Sequence, residues 1–504
     1  MAVINFIVQL FQLPAIVLGL IAFIGLLIQR RPLGEVISGT IKTVLGMLII
    51  TIGIGALINA LIPIQQMFEA GIPATGFTTF VTFDEGVVSA VQTANVNQLG
   101  AMIAWTLLIG YIFHIILARF TPFHYIYLTG HMIWIHAAAF AILFYSFGMP
   151  FWTVVLLASL VDGVYMTLAP ALAQPVMRKI TNSDEIAFGH GQTLLNMLGA
   201  WVGKLIGNPE DSAEKRQFSE GFAFFRDVAI SISLVMLVVA LVAGILAVGR
   251  IGVDAFQTDI SGGQNWLVFT ILQALGFTAG VLVLLQGVRM LIGEIIPAFK
   301  GIGERVIPGA KPALDVPVIF PFAPNALIIG LISGTVGQIV AMVALALIGW
   351  PVPLPSMIAA FFASGAGAIF GNATGGRRGA IAGGFLWGFV GWFLISFAYK
   401  NQVFGDLTAL GATALGFTVP DAIIPGIVIW ALVEGLGLVG GNPAAVAALT
   451  IVLVIAVLAA AYLLNRRAAR PLPVTGPESD IPHLPDYIRP DEPPSDVEAR
   501  NKVT

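Results

Sequence analysis

Three side chains able to exchange protons or hydrogen bonds, His131, His190 and Asp315, stand in stretches that are otherwise almost wholly apolar. Each has small or helix-disturbing neighbours. His131 follows Thr129-Gly130, His190 lies within Phe188-Gly189-His190-Gly191-Gln192, and Asp315 precedes the proline-broken run from Val316 to Asn325. A neutral imidazole offers one donor and one acceptor, and an ionised carboxyl only accepts. Two histidines and one aspartate in such surroundings are candidates for a binding site for whatever the protein moves. An aspartate at the centre of a membrane helix costs about 2.5–3.5 kcal/mol even on the insertion scale, so its presence points to a functional site. The alternative is that Asp315 caps a helix while the histidines satisfy backbone carbonyls.

The surroundings of these residues are those of a membrane protein. Of 504 residues 58% are apolar and 10% charged, against about 25% charged in soluble domains. The fold class expected is all-α and polytopic. A net charge of −3 without a basic stripe gives no sign of nucleic-acid binding. With no cysteine there is no disulfide, thiolate metal site or cysteine nucleophile. The polar run beginning at Asn208 divides the chain into a first transmembrane half, 1–207, a cytoplasmic loop, 208–225, and a second half, 226–465. Residues 466–504, charged and proline-rich, are expected to form a disordered cytoplasmic tail.

A crossing needs about 20 apolar residues. Candidate segments lie near 7–28, 36–62, 98–118, 128–147, 151–175, 226–249, 264–297, 323–349, 356–399, 419–440 and 443–464, giving about eleven transmembrane helices. Basic clusters at Arg30-Arg31, Arg178-Lys179 and Arg466-Arg467 place those ends in the cytoplasm by the positive-inside rule, with the N-terminus outside. The first segment reads as a retained helix, because its charges follow the apolar run. Tyr127 to Trp134, Pro317 to Asn325 and Ser364 to Gly376 interrupt the apolar pattern with Gly, Pro, Asn and His. Broken segments of this kind line protein or water at membrane depth and mark binding sites in transporters.

Gly39 and Gly287 begin similar segments at an offset of 248, which brings Gly53-Ile54-Gly55 onto Gly301-Ile302-Gly303; each ends in Ile-Pro. The match suggests two structural repeats, although 56 glycines make some chance agreement inevitable. Gly435 to Gly440 fits G-x-G-x-x-G but lacks the strand, helix and acid of a dinucleotide site; small residues packing membrane helices explain it better. Asn372-Ala373-Thr374 is a glycosylation pattern buried in an apolar stretch. His114, His124 and His136 have no i, i+3 or i+4 partner and read as core or interface residues, so no metal or other cofactor is expected.

Five blocks in order, Gly39-Thr40-Ile41-Lys42-Thr43, Leu128-Thr129-Gly130-His131-Met132, Gly189-His190-Gly191-Gln192, Gln286-Gly287-Val288-Arg289-Met290 and Phe322-Ala323-Pro324-Asn325-Ala326, resemble the membrane subunit (IIC component) of the ascorbate-specific phosphotransferase system. The resemblance covers roughly residues 35–465. It implies a bacterial inner-membrane homodimer with eleven transmembrane segments, built from a core domain and a dimer-forming V-motif domain that move in an elevator fashion. It implies uptake of L-ascorbate with phosphorylation by a separate IIB subunit, itself charged by IIA.

The family's binding positions fall on His131, His190 and Asp315, on Met132, Ile133, Trp134 and Ile135 after the first histidine, on Gly191 after the second, and on the pair Thr79-Phe80. Family glutamines are replaced by Ile135 and Gly191, which bears on which sugar acid is taken. Restoring an amide at 135 should strengthen ascorbate binding. With no cysteine to carry phosphate, the chain is a transport subunit rather than an enzyme, and IIB must dock from outside, near Arg289 to Lys311. Two other readings stand beside this one: a same-fold permease for another polyol or sugar acid without phosphorylation, and a cofactor-anchoring subunit of a membrane enzyme complex.

Overall fold

The fold is that of a computed structural model, which describes residues 14–71, 78–215, 228–305, 307–356, 358–413, 415–439 and 442–468. The start of the first expected span, much of the 208–225 loop and nearly all of the tail lie outside the described residues.

Helices α1 (Pro14–Ile28) and α2 (Leu33–Gly71) lead to strand β1 (Thr79–Thr82), followed by α3 (Asp84–Ala94) and α4 (Leu99–Phe120). Strand β2 (Tyr125–Tyr127) precedes α5 (Gly130–Ser146) and α6 (Phe151–Thr181), and β3 (Ala187–Phe188) precedes α7 (Thr193–Ile206). The second half holds α8 (Val228–Ile251), α9 (Val253–Asp259), α10 (Trp266–Arg305) and β4 (Lys311–Leu314), whose continuation Val316–Phe322 is a 3-10 turn. Then come α11 (Pro324–Leu347), β5 (Val352–Pro353), a π-helical turn at Ala359–Ser364, α12 (Gly365–Lys400), β6 (Leu415–Gly416), α13 (Pro420–Gly435) and α14 (Pro443–Ala468).

Helix prevails because backbone groups in hydrocarbon must be satisfied within their own segment. Seven described helices are long and apolar enough to cross a membrane, or eight if α8 and α9, bent by 113° at their junction, count as one span. That is fewer than the eleven segments expected from hydropathy. The difference lies in four expected segments: 7–28, where the described α1 has 15 residues; 128–147, where α5 of 17 residues begins only after β2 has ended; 226–249, the bent α8; and 419–440, where α13 has 16 residues.

Buried strands need partners for their N–H and C=O groups, and here they form two small parallel sheets. The orders are β2-β4-β3 and β5-β1-β6. Each sheet takes its central strand from the other half of the chain. Ile126 and Pro312 are partners across β2 and β4, Phe188 and Leu314 across β3 and β4, and Thr79 and Val352 across β1 and β5. The two central strands each follow one of the longest helices, α2 with 39 residues and α10 with 40, which lie against one another.

The glycine-rich run from Ser364 to Gly376 is mostly helix, so the interruption of its apolar pattern is only in small part a break of the backbone. Irregularity is confined to the π-helical turn before Gly365 and to Gly376, whose φ is 59°. A Cβ at Gly376 would stand 2.3 Å from the carbonyl of Asn208, so the kink brings that backbone into contact. Other glycines of the run serve helix packing: Gly371 and Gly375 of α12 lie against Gly203 of α7 and Gly207 just past its end. The Gly435 motif differs from its expected role. Gly435 and Gly437 meet nothing where a Cβ would stand, and Gly437 at φ 65° turns the chain out of α13.

Candidate functional site

The sheet β2-β4-β3 brings the three sequence-identified residues together. Its strands are parallel, so their C-terminal ends share one edge, and each ends in one of the three. Beyond β2, Leu128-Thr129-Gly130 leads to His131 in the first turn of α5; beyond β3 comes Gly189-His190; Asp315 directly follows β4. Because β4 is central, Asp315 stands between the histidines. Backbone bonds extend the sheet past the strand ends, Leu128 N donating to Ala313 O (3.0 Å) and Gly189 N to Leu314 O (2.8 Å). The Thr129 hydroxyl donates to Gly189 O and ties the two histidine arms together.

His131 Nδ1 lies 3.9 Å from Asp315 Oδ2 and His190 Nε2 lies 3.7 Å from Asp315 Oδ1, with the imidazole centroids 5.6 Å apart. These separations exceed a direct hydrogen bond but leave room for an oxygen about 2.8 Å from both partners. A ligand hydroxyl could bridge either pair. One atom from each of the three residues lies within 4.8 Å of the others, a donor set that a divalent cation also accepts. Neighbouring donors on a metal sphere of about 2.1 Å stand nearer about 3.0–3.4 Å apart, so the spacing fits a bridging hydroxyl better. His190 is buried, and its Nδ1 has no partner among the described residues; His131 and Asp315 are half-buried and open the site on one side. Asp315 also caps the following 3-10 turn, its Oδ1 accepting from Val316 N at 2.7 Å. Capping and ligand contact are therefore compatible for this residue: the capping oxygen Oδ1 also faces His190, and Oδ2 faces His131.

A supporting layer escaped the sequence reading. Asp421, at the start of α13, accepts from Thr193 N (2.7 Å) and Leu194 N (2.8 Å) and so caps α7 from another helix. The Tyr165 hydroxyl lies 2.8 Å from Asp421 Oδ2 and 3.1 Å from His190 O. Together they hold the backbone on which His190 is carried. The available signal was Pro420-Asp421, an acid after a helix-starting proline at the mouth of an apolar run.

The other expected positions divide by location. Ile133 and Trp134 are half-buried near His131, and Trp134 Nε1 donates to Gln92 Oε1 at 3.0 Å. Met132 and Ile135 are buried, and Ile135, four residues beyond His131 on the same side of α5, is fully enclosed in an apolar cluster. A Cβ at Gly191 would stand 2.3 Å from Val419 Cγ1 and 2.8 Å from His136 Nε2, so no side chain fits there without movement. Thr79 and Phe80 belong to the other sheet, where Phe80 stacks on Tyr399 with ring centroids 3.8 Å apart. His114 is a satisfied core histidine: Nε2 accepts from Tyr127 N at 3.1 Å, leaving Nδ1–H to Thr167 Oγ1 at 2.9 Å. His136 is also buried, edge-on to Tyr165, and His124 Nδ1 reaches Ala118 O.

Outside the spans, Asp184 clamps the start of the same sheet by pairing with Arg178 and with Lys311 of β4. Partial burial works to raise its pKa, but hydrogen bonds from Arg178, Lys311 and Gln174 outweigh that and hold it down to about 2.

Comparison with known proteins bears on this arrangement. The family model described as "EIIC-GAT: PTS system sugar-specific permease component" matches residues 9–422. A curated protein of Mycoplasma pneumoniae, "Ascorbate-specific PTS system EIIC component", is 30% identical over 434 residues. The match covers 77% of this chain and 65% of that relative, so the chain spans less than two thirds of the relative's length.

Proposed function

The chain belongs to the PTS system sugar-specific permease family, and from that premise we propose that it imports L-ascorbate or a closely related sugar acid through a pocket formed by His131, His190 and Asp315. It is a multi-pass membrane protein. The observation that carries the proposal is the arrival of two imidazoles and a carboxylate at one sheet edge, spaced for bridging hydroxyls. Ascorbate is a hydroxyl-rich monoanion, and its lost hydration must be replaced by donors and acceptors. His131 and His190 donate to its enediol oxygens, the N-terminus of α5 adds a favourable dipole, and Asp315 accepts from a hydroxyl. Ile133 and Trp134 line the pocket. Met132, Ile135 and Gly191 back it, and Thr79 and Phe80 of the other sheet are assigned to it by their family positions.

The wider assignment follows the family. The proposal includes eleven transmembrane segments, a core and a V-motif domain, a homodimer, elevator-type access and the bacterial inner membrane, with the N-terminus outside. Phosphorylation of the incoming ligand falls to separate IIA and IIB subunits. Halves 1–207 and 226–465 are proposed as structural repeats, a reading supported by the reciprocal exchange of central strands. A permease for another polyol or sugar acid, without phosphorylation, is the second reading. It is favoured by Gly191, where packing leaves no space for a ligand-reading amide.

The test is uptake of radiolabelled L-ascorbate and a panel of sugar acids and polyols in cells with and without matched IIA and IIB, beside equilibrium binding to purified protein. His131→Ala, His190→Ala and Asp315→Ala should each abolish saturable binding while the protein still inserts. Near-normal binding by all three would exclude this pocket. Uptake unaffected by IIA and IIB would select the second reading.

A further inference from the structure

Beside the three-residue edge lies a cleft of about 720 Å³, bounded by Phe83, Glu85 and Trp134 with small Ala90, Ala94 and Gly411 behind them. Trp134 is three residues beyond His131, on the same side of α5, which sets the cleft within one helical turn of the pocket. Two aromatic rings flank it. Phe83 is 43% exposed, although its ring crowds the space that a Cβ at Gly86 would need, and the Trp134 indole is held by Gln92. Flat apolar faces of this kind suit the C–H surface of a hydroxylated carbon chain. Glu85 is the one charged residue lining the cleft. It is half-buried, makes no hydrogen bond among the described residues, and lies within electrostatic reach of Asp84 and Asp315.

A ligand seated at the histidines thus extends toward carboxylates, with no basic side chain lining the cleft to receive a second negative charge. We propose that this cleft is an extension subsite for the uncharged, polyhydroxylated end of the ligand, and that Glu85 determines specificity there by accepting a hydroxyl and repelling a second carboxylate or a phosphate. The inference rests on the proposed pocket at His131, His190 and Asp315.

A charge series on one six-carbon skeleton tests it: galactitol, galactonate and galactarate, uncharged, singly and doubly negative at pH 7.5, titrated against the purified full chain by calorimetry. The wild type should bind galactarate at least about tenfold more weakly than galactonate, and Glu85→Gln should remove that gap while changing galactonate affinity by less than about threefold. An unchanged galactarate-to-galactonate ratio in Glu85→Gln overturns the subsite, whatever the histidine variants do. Loss of binding in His131→Ala beside such an unchanged ratio leaves the pocket standing and removes only the subsite. Retained binding in His131→Ala beside a closed gap does the reverse. A wild type that binds none of the three compounds overturns both.

Discussion

At the scale of single residues, an amide expected to recruit ligand meets a position with no opening to it. Ile135 is fully enclosed within an apolar cluster, so Ile135→Gln would bury an amide without a partner at a cost of about 1–3 kcal/mol. The expected outcome reverses the gain anticipated from sequence: a lower melting temperature in detergent, and ascorbate affinity in calorimetry no better than wild type. Gly191 gives the complementary case. Gly191→Ala places a methyl against Val419 and His136, and overpacking of this kind costs about 1–3 kcal/mol. Its melting temperature should fall, and a companion Val419→Ala should recover part of the loss. The three ionisable residues were legible because Asp and His are costly among apolar neighbours, whatever the fold. That Met132 and Ile135 are closed off was not legible, because a nearly uniform apolar helix has no strong polar face to show which of its residues are packed over.

At the scale of elements, what could be read was where the apolar pattern breaks, and what could not be read was what replaces it. Tyr127 to Trp134 does contain a strand end and a helix start. The strands are only two to four residues long, and their partners lie far away in sequence, so period-two alternation gives no signal. Asp421 shows the same limit, since its partners on α7 are 227 and 228 residues distant. Asp421→Ala would leave two N–H groups of α7 and the Tyr165 hydroxyl without this acceptor, a loss of about 1–3 kcal/mol for an unmade buried bond. Both stability and ligand affinity should decline, because His190 precedes α7 directly; Asp421→Asn should recover part of each. Asp184 yields a pH dependence at the opposite end of the sheet. Its pKa falls from the ordinary 3.8 to about 2 on folding, so its contribution is present above about pH 4 and is lost as pH drops through about 2. Melting temperatures of wild type and Asp184→Asn should differ at pH 7 and converge as pH falls from 4 toward 2; a constant difference would show that Asp184 acts by shape alone.

At the scale of the whole molecule, neither half of the chain contains a complete sheet. The first half supplies β2 and β3 but not the β4 that joins them, and the second supplies β5 and β6 but not β1. Removing a central strand leaves both outer strands with unpaired buried N–H and C=O groups, each costing about 1–3 kcal/mol. A central strand lost from β2-β4-β3 also removes Asp315 from between the histidines. Folding of the halves should therefore be mutually dependent even though the polar 208–225 loop separates them in sequence. Expressed alone, residues 1–215 or 216–504 should aggregate or be degraded. Expressed together from one cell, they should co-purify as a single species on size exclusion in detergent and regain ligand binding. The His190→Ala change in the first fragment and Asp315→Ala in the second should each abolish that regained binding, because the pocket draws its central carboxylate from one half and both imidazoles from the other. Stable, monodisperse behaviour of either fragment alone would mean that the exchanged strands are dispensable to the fold.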